Sequence, residues 1–257
     1  MSCETGAQKM EESAKMLPAA TAVVRDLFDR IAPVYDDFNQ QLSFGLHHVW
    51  KQMAVQWSGA KVGSLCLDVC CGSGDLALLL ARQVGATGQV YGVDFAAAQL
   101  AIARQKAAQQ WRLPPIHWIE GDALALPFAD QMFEAITMGY GLRNLIDITQ
   151  GLQELHRVLQ PGGKAAVLDF HQPTTYWMQQ FQQWYLAKVV VPTAERCGLM
   201  EEYAYIAPSV ERFPTGLKQV VLGREAGFDE VVHYPIAGGL MGILVLTRAS
   251  EKRADRH

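Results

Sequence analysis

Apolar and polar positions alternate with two different periods along this chain. From about residue 65, short apolar runs that end at glycine or aspartate alternate with longer stretches of helical spacing. Short apolar runs predict buried strands, and the longer stretches predict helices. This alternation is typical of a parallel sheet with helices on both faces.

Five strands and three helices are predicted in this region. The strands are expected at 65–70, 89–94, 116–122, 133–140 and 163–170. The helices are expected at 75–84, 96–111 and 148–160. The third helix should end at Pro161-Gly162-Gly163, because proline and glycine interrupt a helix.

The last third of the chain has a different pattern. Residues 174–197 carry aromatic side chains at near-helical spacing, which either pack in the core or line a substrate channel or membrane surface. A helix is predicted at 215–226, and strands at 229–237 and 240–248. The strands are joined by Gly238-Gly239, which predicts a tight hairpin and an antiparallel last strand.

The N-terminal region is predicted to add a helical cap. Residues 1–20 read as a disordered lead-in, and 21–60 as two helices over a pocket. We therefore expect one α/β domain at 21–250 with a Rossmann-like core at 61–250. Its sheet should be mostly parallel, with seven strands and an antiparallel last strand.

Composition narrows the class of protein. Half of the residues are hydrophobic, 19% are charged and the net charge is -4, with no basic run that favours nucleic acid. No apolar run reaches the length of a membrane span, and the start has no secretory signal pattern. The five cysteines fit neither a disulfide framework nor zinc spacing. Reduced thiols and a cytoplasmic location are expected, while the oligomeric state is open.

A glycine loop follows the first predicted strand. Gly72 and Gly74 flank Ser73 and would let the backbone turn tightly and approach a ligand. Asp68 lies four residues before the first glycine. A carboxylate there is unfavourable for a pyrophosphate but suits a cationic ligand, such as the ammonium group of a methionine moiety. Alternatively, Asp68 only orients its own loop.

Two further strands end in acidic residues. Asp94 ends the second strand, where a carboxylate accepts both hydroxyls of a ribose. Asp122 follows the third strand, where it would accept from an adenine amino group beside the Ala123 amide. The carboxyl ends of parallel strands meet at one edge, so these groups predict one nucleoside site. The alternative is three unrelated helix caps.

Four motifs, in this order along the chain, resemble those of class I S-adenosylmethionine-dependent methyltransferases. They are DVCCGSGD, VYGVD, EGDALALPFAD and LQPGGKAAVLDF. Four other segments resemble a narrower group, the ubiquinone/menaquinone biosynthesis C-methyltransferase family. They are FDRIAPVYDDFN (28–39), GYGLRN (139–144), LDFHQP (168–173) and SVERFP (209–214). The resemblance covers about residues 25–248.

This resemblance implies a Rossmann-like class I methyltransferase fold and S-adenosylmethionine as co-substrate. It implies cofactor contacts from Ser73, Asp94, Asp122 and Ala123, and closure of the first helix with Tyr35 over the site. Gly139 stands where many relatives carry serine, so a hydroxyl contact is lost there. Cys70 and Cys71 replace the small residues that usually precede the loop.

The expected reaction is carbon methylation of a reduced naphthoquinone precursor with a phytyl or polyprenyl tail. A ring carbon becomes nucleophilic when an adjacent hydroxyl loses its proton, so the quinol should react. The candidates for ring orientation, base or water positioning and the site mouth are Arg143, Asn144, Asp169, His171, Tyr203, Tyr205 and Arg212. Alternatively, Arg143 only pairs with Asp147, His171 is an exposed loop residue, and the tyrosines only pack.

Three other functions remain open from the sequence. The substrate could be a benzoquinol or a small phenol instead of a naphthoquinol. The glycine loop is also compatible with a nicotinamide-dependent oxidoreductase. Finally, the chain could bind the cofactor without catalysis. Peripheral contact with the membrane that holds the quinone pool is expected for a substrate with a long apolar tail.

Overall fold

The computed structural model describes residues 30, 40, 43, 45–110, 113–173, 175–196 and 206–250. The predicted lead-in, the first cap helix and the predicted site residues Tyr35, Tyr203 and Tyr205 lie outside these residues. The described chain forms one seven-stranded sheet with helices on both faces. This confirms the predicted α/β class.

The seven strands lie close to their predicted positions. They are β1 (Leu65–Val69), β2 (Gln89–Asp94), β3 (Ile116–Glu120), β4 (Phe133–Gly139), β5 (Leu159–Phe170), β6 (Glu230–Ile236) and β7 (Met241–Thr247). Their spatial order is β3-β2-β1-β4-β5-β7-β6. Strands β1 to β5 are parallel, and β7 is antiparallel to both β5 and β6.

Helices connect the strands and cover the sheet. They are α1 (Leu46–Trp57), α2 (Asp75–Val84), α3 (Ala97–Ala108), α4 (Ile148–Val158), α5 (Tyr176–Tyr185), α6 (Val191–Arg196), α7 (Ile206–Arg212) and α8 (Gly216–Glu225). A π-helical turn, Leu186–Val190, joins α5 to α6. The second predicted cap helix is thus α1.

The core consists of two apolar clusters, one on each face of the sheet. Leu67 and Ile136 belong to the cluster that includes Leu152 and Leu155 of α4. Cys66 belongs to the cluster that includes Leu80 of α2. Because successive strand residues point to opposite faces, central strands that are covered twice must be apolar at nearly every position.

The predicted start of the fifth strand is wrong. Helix α4 ends at Val158, and β5 begins at Leu159 rather than at Gly163. Leu159 pairs with Phe133, and the next pair is Lys164 with Ala135, so the register shifts between them. Pro161-Gly162-Gly163 therefore interrupts the pairing inside the strand instead of separating helix from strand.

The predicted two-residue hairpin is also longer than expected. The last pair of β6 and β7 is Ile236 with Met241. A short turn at Ala237–Gly239 lies between them, and all three of its residues have positive φ, between 51° and 91°. The predicted antiparallel direction is confirmed, while each strand is shorter than its apolar pattern indicated.

The aromatic stretch forms α5, but it is not part of the core. No residue of α5 is buried, and Trp177 is 83% exposed. The interpretation of these aromatics as core packing is therefore wrong. Within the described ranges, no helix combines the length and apolarity that crossing a bilayer requires.

Candidate active site

The site lies at the carboxyl ends of β1 and β4. The chain order changes direction between these neighbouring strands, since β1 leads outward to β2 and β4 leads to β5. At such a switch point the two connections leave in opposite directions and open a crevice. The residues that follow β1, β2, β3 and β4 line two adjoining cavities in this crevice.

The glycine loop after β1 has the conformation that the sequence predicted. Gly72 and Gly74 have φ values of 52° and 87°, which favour glycine. A Cβ on Gly74 would lie 2.6 Å from the ring of Trp118, so close packing also requires glycine there. Gly74 is directly followed by α2, whose first residue is Asp75.

Asp68 lies fully buried at the base of the first cavity. The Thr137 hydroxyl donates to Asp68 Oδ1 at 2.8 Å, and Oδ2 has no hydrogen-bond partner among the described residues. Burial raises the pKa of Asp68 to about 7, although the Thr137 hydroxyl, the Ala77 backbone N–H and the Lys51 ammonium oppose the shift. A buried carboxylate with one oxygen that accepts no hydrogen bond favours a cationic partner.

Asp94 lies in the wall that both cavities share. The backbone N–H of Gly72 donates to Asp94 Oδ2 at 2.8 Å, and that of Ala96 donates to Oδ1 at 2.9 Å. These bonds hold the glycine loop and the start of α3 together. Each carboxylate oxygen can accept more than one hydrogen bond, so this role is compatible with binding ribose hydroxyls.

The second cavity follows β3. Asp122, Ala123 and Leu124 line it together with Ile146. Asp122 is exposed, and its Oδ1 accepts from the Leu124 N–H at 2.9 Å. Apart from the carboxylates of Asp94 and Asp122 and the amide of Asn144, the lining side chains are apolar, which suits a flat heteroaromatic ring.

The two cavities together fit a sulfonium nucleoside with an amino-acid tail. Cys70, Asp94, Phe95 and Asn144 line both of them, so they form one continuous crevice. At one end, Asp68 supplies a buried carboxylate oxygen that has no hydrogen-bond partner among the described residues and suits an ammonium group. At the other end, Ala123 and Leu124 form the apolar slot. The pyrophosphate of a dinucleotide would be repelled by the Asp68 carboxylate.

Gly139, at the end of β4, lines the first cavity. A Cβ built on Gly139 would meet Leu76 Cδ1 at 2.6 Å. Any side chain at this position therefore requires Leu76 to move. Because Gly139 has no side chain, the Leu76 side chain can lie against its backbone.

Lys51 is a site residue that the sequence reasoning missed. It lies on α1, is 7% exposed and lines the first cavity. Its Nζ lies 2.6 Å from Asp75 Oδ2, and Lys106 Nζ lies 2.7 Å from Asp75 Oδ1. Burial alone would raise the pKa of Asp75. These two ammonium groups nevertheless hold this pKa well below its usual range. The only sequence signal was a lysine among the apolar residues of α1.

Arg143 does not pair with Asp147, contrary to one interpretation of the sequence. Arg143 Nη1 lies 2.8 Å from Asp169 Oδ1, and it also donates to the Tyr140 carbonyl at 2.6 Å. The backbone N–H of Arg143 donates to Asp169 Oδ2 at 3.1 Å. Asp147 instead caps α4 by accepting from the N–H of Gln150. Asp169 thus holds the loop after β4 in place.

Asn144 alone of the five candidates for the reaction that lie in the described chain lines the crevice. Its Nδ2 donates to the Tyr140 carbonyl at 3.0 Å. Its Oδ1 is buried and lacks a partner within the described part of the chain. Arg143 and Asp169 lie behind it, and their proposed roles at the substrate ring stay predictions.

His171 is buried, so its interpretation as an exposed loop residue is wrong. Its ring lies 4.7 Å from that of His233 on β6, and burial lowers the pKa of both imidazoles, that of His233 to about 4. His171 is not in the lining of the two cavities. Its role as a base stays a prediction. Arg212 lies exposed at the end of α7.

An apolar cavity adjoins the crevice on the other side of Tyr140. It is lined by Ser43, His47, Trp50, Tyr140, Phe170, Gln182, Tyr185, Val210, Leu240 and Met241. Tyr140 also lines the first cavity, so the two spaces meet at this residue. The Arg143 guanidinium lies 4.9 Å from the centre of the Phe170 ring, directly behind this cavity.

The sheet order with its antiparallel last strand is that of the Rossmann-like class I methyltransferase fold. A putative S-adenosyl-L-methionine-dependent methyltransferase from Methanococcus maripaludis has a similar structure, with a TM-score of 0.60 at 17% identity over 88% of this chain and 95% of that one. A SAM-dependent methyltransferase from Aquifex aeolicus has a TM-score of 0.56 at 19% identity, over 76% of this chain and 88% of that one. At this identity the likeness shows the fold.

Residues 15–247 match the model of the ubiE/COQ5 methyltransferase family, and the chain belongs to this family. It is a methyltransferase with S-adenosylmethionine as co-substrate. This confirms the family and the cofactor predicted from the sequence motifs.

Close relatives carry one name. The chain is 58% identical to the 2-phytyl-1,4-naphthoquinone methyltransferase of Trichormus variabilis, over 89% of this chain and all of that protein. It is 59% identical to the protein of that name from Synechocystis sp., over 86% and 93% of the two chains. The chloroplastic 2-phytyl-1,4-beta-naphthoquinone methyltransferase of Arabidopsis thaliana is 50% identical, over 87% of each.

Proposed function

We propose that this chain methylates a ring carbon of a reduced naphthoquinone that carries a phytyl or related prenyl tail. The relatives that share half or more of its residues are named for a 2-phytyl-1,4-naphthoquinone substrate. The observation that carries the proposal is the position of Tyr140, between the cofactor crevice and an apolar cavity. Two spaces of different polarity meet at this residue, as a transfer between a polar donor and an apolar acceptor requires.

The substrate should be the quinol. Bound S-adenosylmethionine supplies an electrophilic methyl group, so the acceptor carbon must be electron-rich, which a quinone ring is not. Ring hydroxyls that lose a proton develop negative charge. The Arg143 guanidinium behind Phe170 supports this charge electrostatically, and Asp169 fixes its position.

The direct test is a methyl-transfer assay with labelled S-adenosylmethionine. The acceptors are 2-phytyl-1,4-naphthoquinol, the same compound in its quinone form, and a prenylated benzoquinol. We expect transfer to the naphthoquinol, slower transfer to the benzoquinol, and none to the quinone. If no prenylated quinol is methylated, the proposal fails. Faster reaction of the benzoquinol would assign the chain to another quinone route.

We further propose that the protein works in the cytoplasm against a lipid surface, where it takes up its substrate through α5. Trp177, Phe181 and Trp184 are 83%, 44% and 54% exposed. They share one side of α5, at helical spacing. Gln182 and Tyr185 of the same helix line the apolar cavity. The exposed aromatics and the cavity are therefore joined by a single helix, and tryptophan favours membrane interfaces.

Sedimentation with phosphatidylglycerol/phosphatidylcholine vesicles tests this surface. Replacing Trp177, Phe181 and Trp184 by serine should weaken vesicle binding about tenfold or more, because exposed aromatic area no longer enters the lipid. Rates with a tail-free naphthoquinol should stay unchanged. Leu217→Ser, which removes an 84% exposed leucine from α8, is the matched control. Equal vesicle binding by the triple variant and the wild type would refute this surface.

A further inference from the structure

Two ammonium groups share one carboxylate beside the first cavity. Lys51 of α1 contacts Asp75 Oδ2 at 2.6 Å, and Lys106 of α3 contacts Asp75 Oδ1 at 2.7 Å. Asp75 is the first residue of α2. Both of its oxygens are thus engaged by cations, and the three groups together carry one excess positive charge.

The two lysines face different spaces. Lys51 lines the first cavity, and its side chain is 9% exposed. Lys106 also donates to Ser73 Oγ at 3.0 Å, but it lines a separate open cleft with His48 and Arg82, and its side chain is 27% exposed. Lys106 alone would neutralise Asp75. The second, buried ammonium of Lys51 also interacts with the Asp68 carboxylate, and both groups line the first cavity.

The first cavity presents opposite charges from two of its walls. Asp68 provides a buried oxygen without a partner among the described residues, and Lys51 provides the buried ammonium. Each ammonium has three protons, so Lys51 can donate to Asp75 and to a ligand. A zwitterionic α-amino acid, with an ammonium and a carboxylate on one carbon, complements this pair of charges.

We propose that Lys51 forms a subsite for the α-carboxylate of the cofactor's amino-acid portion. The proposal rests on S-adenosylmethionine as the co-substrate and assigns one of its charges to one side chain. Asp68 faces the ammonium, and Asp75 orients Lys51. Because Lys51 belongs to α1, the cap helix becomes part of the cofactor site.

Calorimetric titration with two ligands isolates the carboxylate. The first is S-adenosylhomocysteine, and the second is 5′-deoxy-5′-(3-aminopropylthio)adenosine, which keeps the ammonium but lacks the carboxylate. The wild type should bind the first ligand about tenfold or more tightly. Lys51→Met should remove this preference by weakening only the first ligand. Lys51→Arg, which keeps the charge, should retain part of it.

Lys106→Met is the matched control, because it removes the other cation from Asp75. It should change the affinity for both ligands by the same factor. If Lys51→Met weakens both ligands equally, or neither, Lys51 is only a structural partner of Asp75 and the proposal is overturned. A wild type without preference for the carboxylate also overturns it, even if the variant does not fold. Failure of the wild type to bind either ligand would instead contradict the cofactor assignment.

Discussion

At the scale of single residues, the acidic groups of the crevice belong both to the fold and to the site. Asp68 accepts from Thr137, Asp94 from two backbone amides, and Asp122 from one. These bonds fix each carboxylate without using all of its acceptor positions. Sequence reasoning offered helix capping and ligand binding as alternatives, but the structure makes the two compatible.

Asp94 should be the most sensitive position for cofactor binding. Asp94→Ala removes the ribose acceptor and the anchor of Gly72. We expect the affinity for S-adenosylhomocysteine to fall about 100-fold, as two lost charge-assisted hydrogen bonds predict. Calorimetric titration measures this, with thermal unfolding as the control for the fold. Unchanged affinity would remove Asp94 from the ribose site.

Cofactor affinity should depend on pH through Asp68. Because burial raises the pKa of Asp68 to about 7, the carboxyl is largely protonated at pH 6 and ionised at pH 8. Only the ionised form attracts an ammonium group, so affinity should rise over this range, by at most about tenfold per pH unit. Asp68→Asn should bind weakly and with a smaller pH dependence. An equally steep pH dependence in this variant would contradict the assignment.

At the scale of elements, the glycine loop joins β1 to α2 through two residues with different constraints. Gly74 combines a positive φ with the nearby Trp118 ring. Gly72 has a positive φ but open space, with Gln99 Oε1 at 3.8 Å from an added Cβ. Backbone conformation alone constrains Gly72, whereas conformation and packing both constrain Gly74.

Alanine substitutions should separate these two constraints. Gly74→Ala is expected to lower the free energy of unfolding by about 3 kcal/mol, because strain and overpacking add. Gly72→Ala should cost about 1 kcal/mol, from backbone strain alone. Urea unfolding of the ligand-free proteins measures both. Equal losses would show that Trp118 moves away at little cost.

Two histidines pack against each other beside the C-terminal strands, with His171 buried and His233 half-buried. His233 of β6 lies 4.7 Å from His171 and close to Gly216 and Gly242, where an added Cβ would lie 2.5 Å and 2.4 Å from its ring. Small residues at both positions make room for the imidazole. The pair is packed as neutral rings, since burial and His171 both lower the pKa of His233.

This packing predicts acid sensitivity. The pKa of His233 is about 4 in the folded chain and about 6.5 when unfolded, so between these values the unfolded state binds more protons. Stability should therefore fall as pH decreases from 6.5 towards 4, by up to about 1.4 kcal/mol per pH unit from this group. Urea unfolding at several pH values should show a smaller slope for His233→Gln. If the variant loses stability as steeply with decreasing pH as the wild type, groups other than His233 cause the acid sensitivity.

At the scale of the whole molecule, the local pattern of apolar and polar residues predicted where most strands of the sheet lie. The runs that form β1, β2 and β4 are mainly apolar and are followed by a glycine loop or end in aspartate or glycine, so their positions and type followed directly. Their carboxyl ends lie together because parallel strands share one edge, which placed Asp68 and Asp94 in one crevice.

Long-range pairing was not visible in the sequence. The contact between Lys51 and Asp75 joins residues on two helices, and that between Arg143 and Asp169 joins two strand ends. Tyr140 gained its position between two cavities only from the packing of α1 and α5. Pro161 predicts the end of a helix because proline interrupts regular backbone hydrogen bonding. It does the same inside an irregular strand, so the local sequence does not distinguish the two cases.

Asp68, Asp94 and Ala123 line one crevice, which we expect to hold the whole co-substrate. A crystal structure of the protein with S-adenosylhomocysteine tests it most directly. We predict one molecule with its amino-acid group at Asp68, its ribose at Asp94 and its adenine against Ala123, with its sulfur facing Tyr140. A ligand bound in another cavity, or one that leaves Asp68 and Asp94 without contact, would contradict this account.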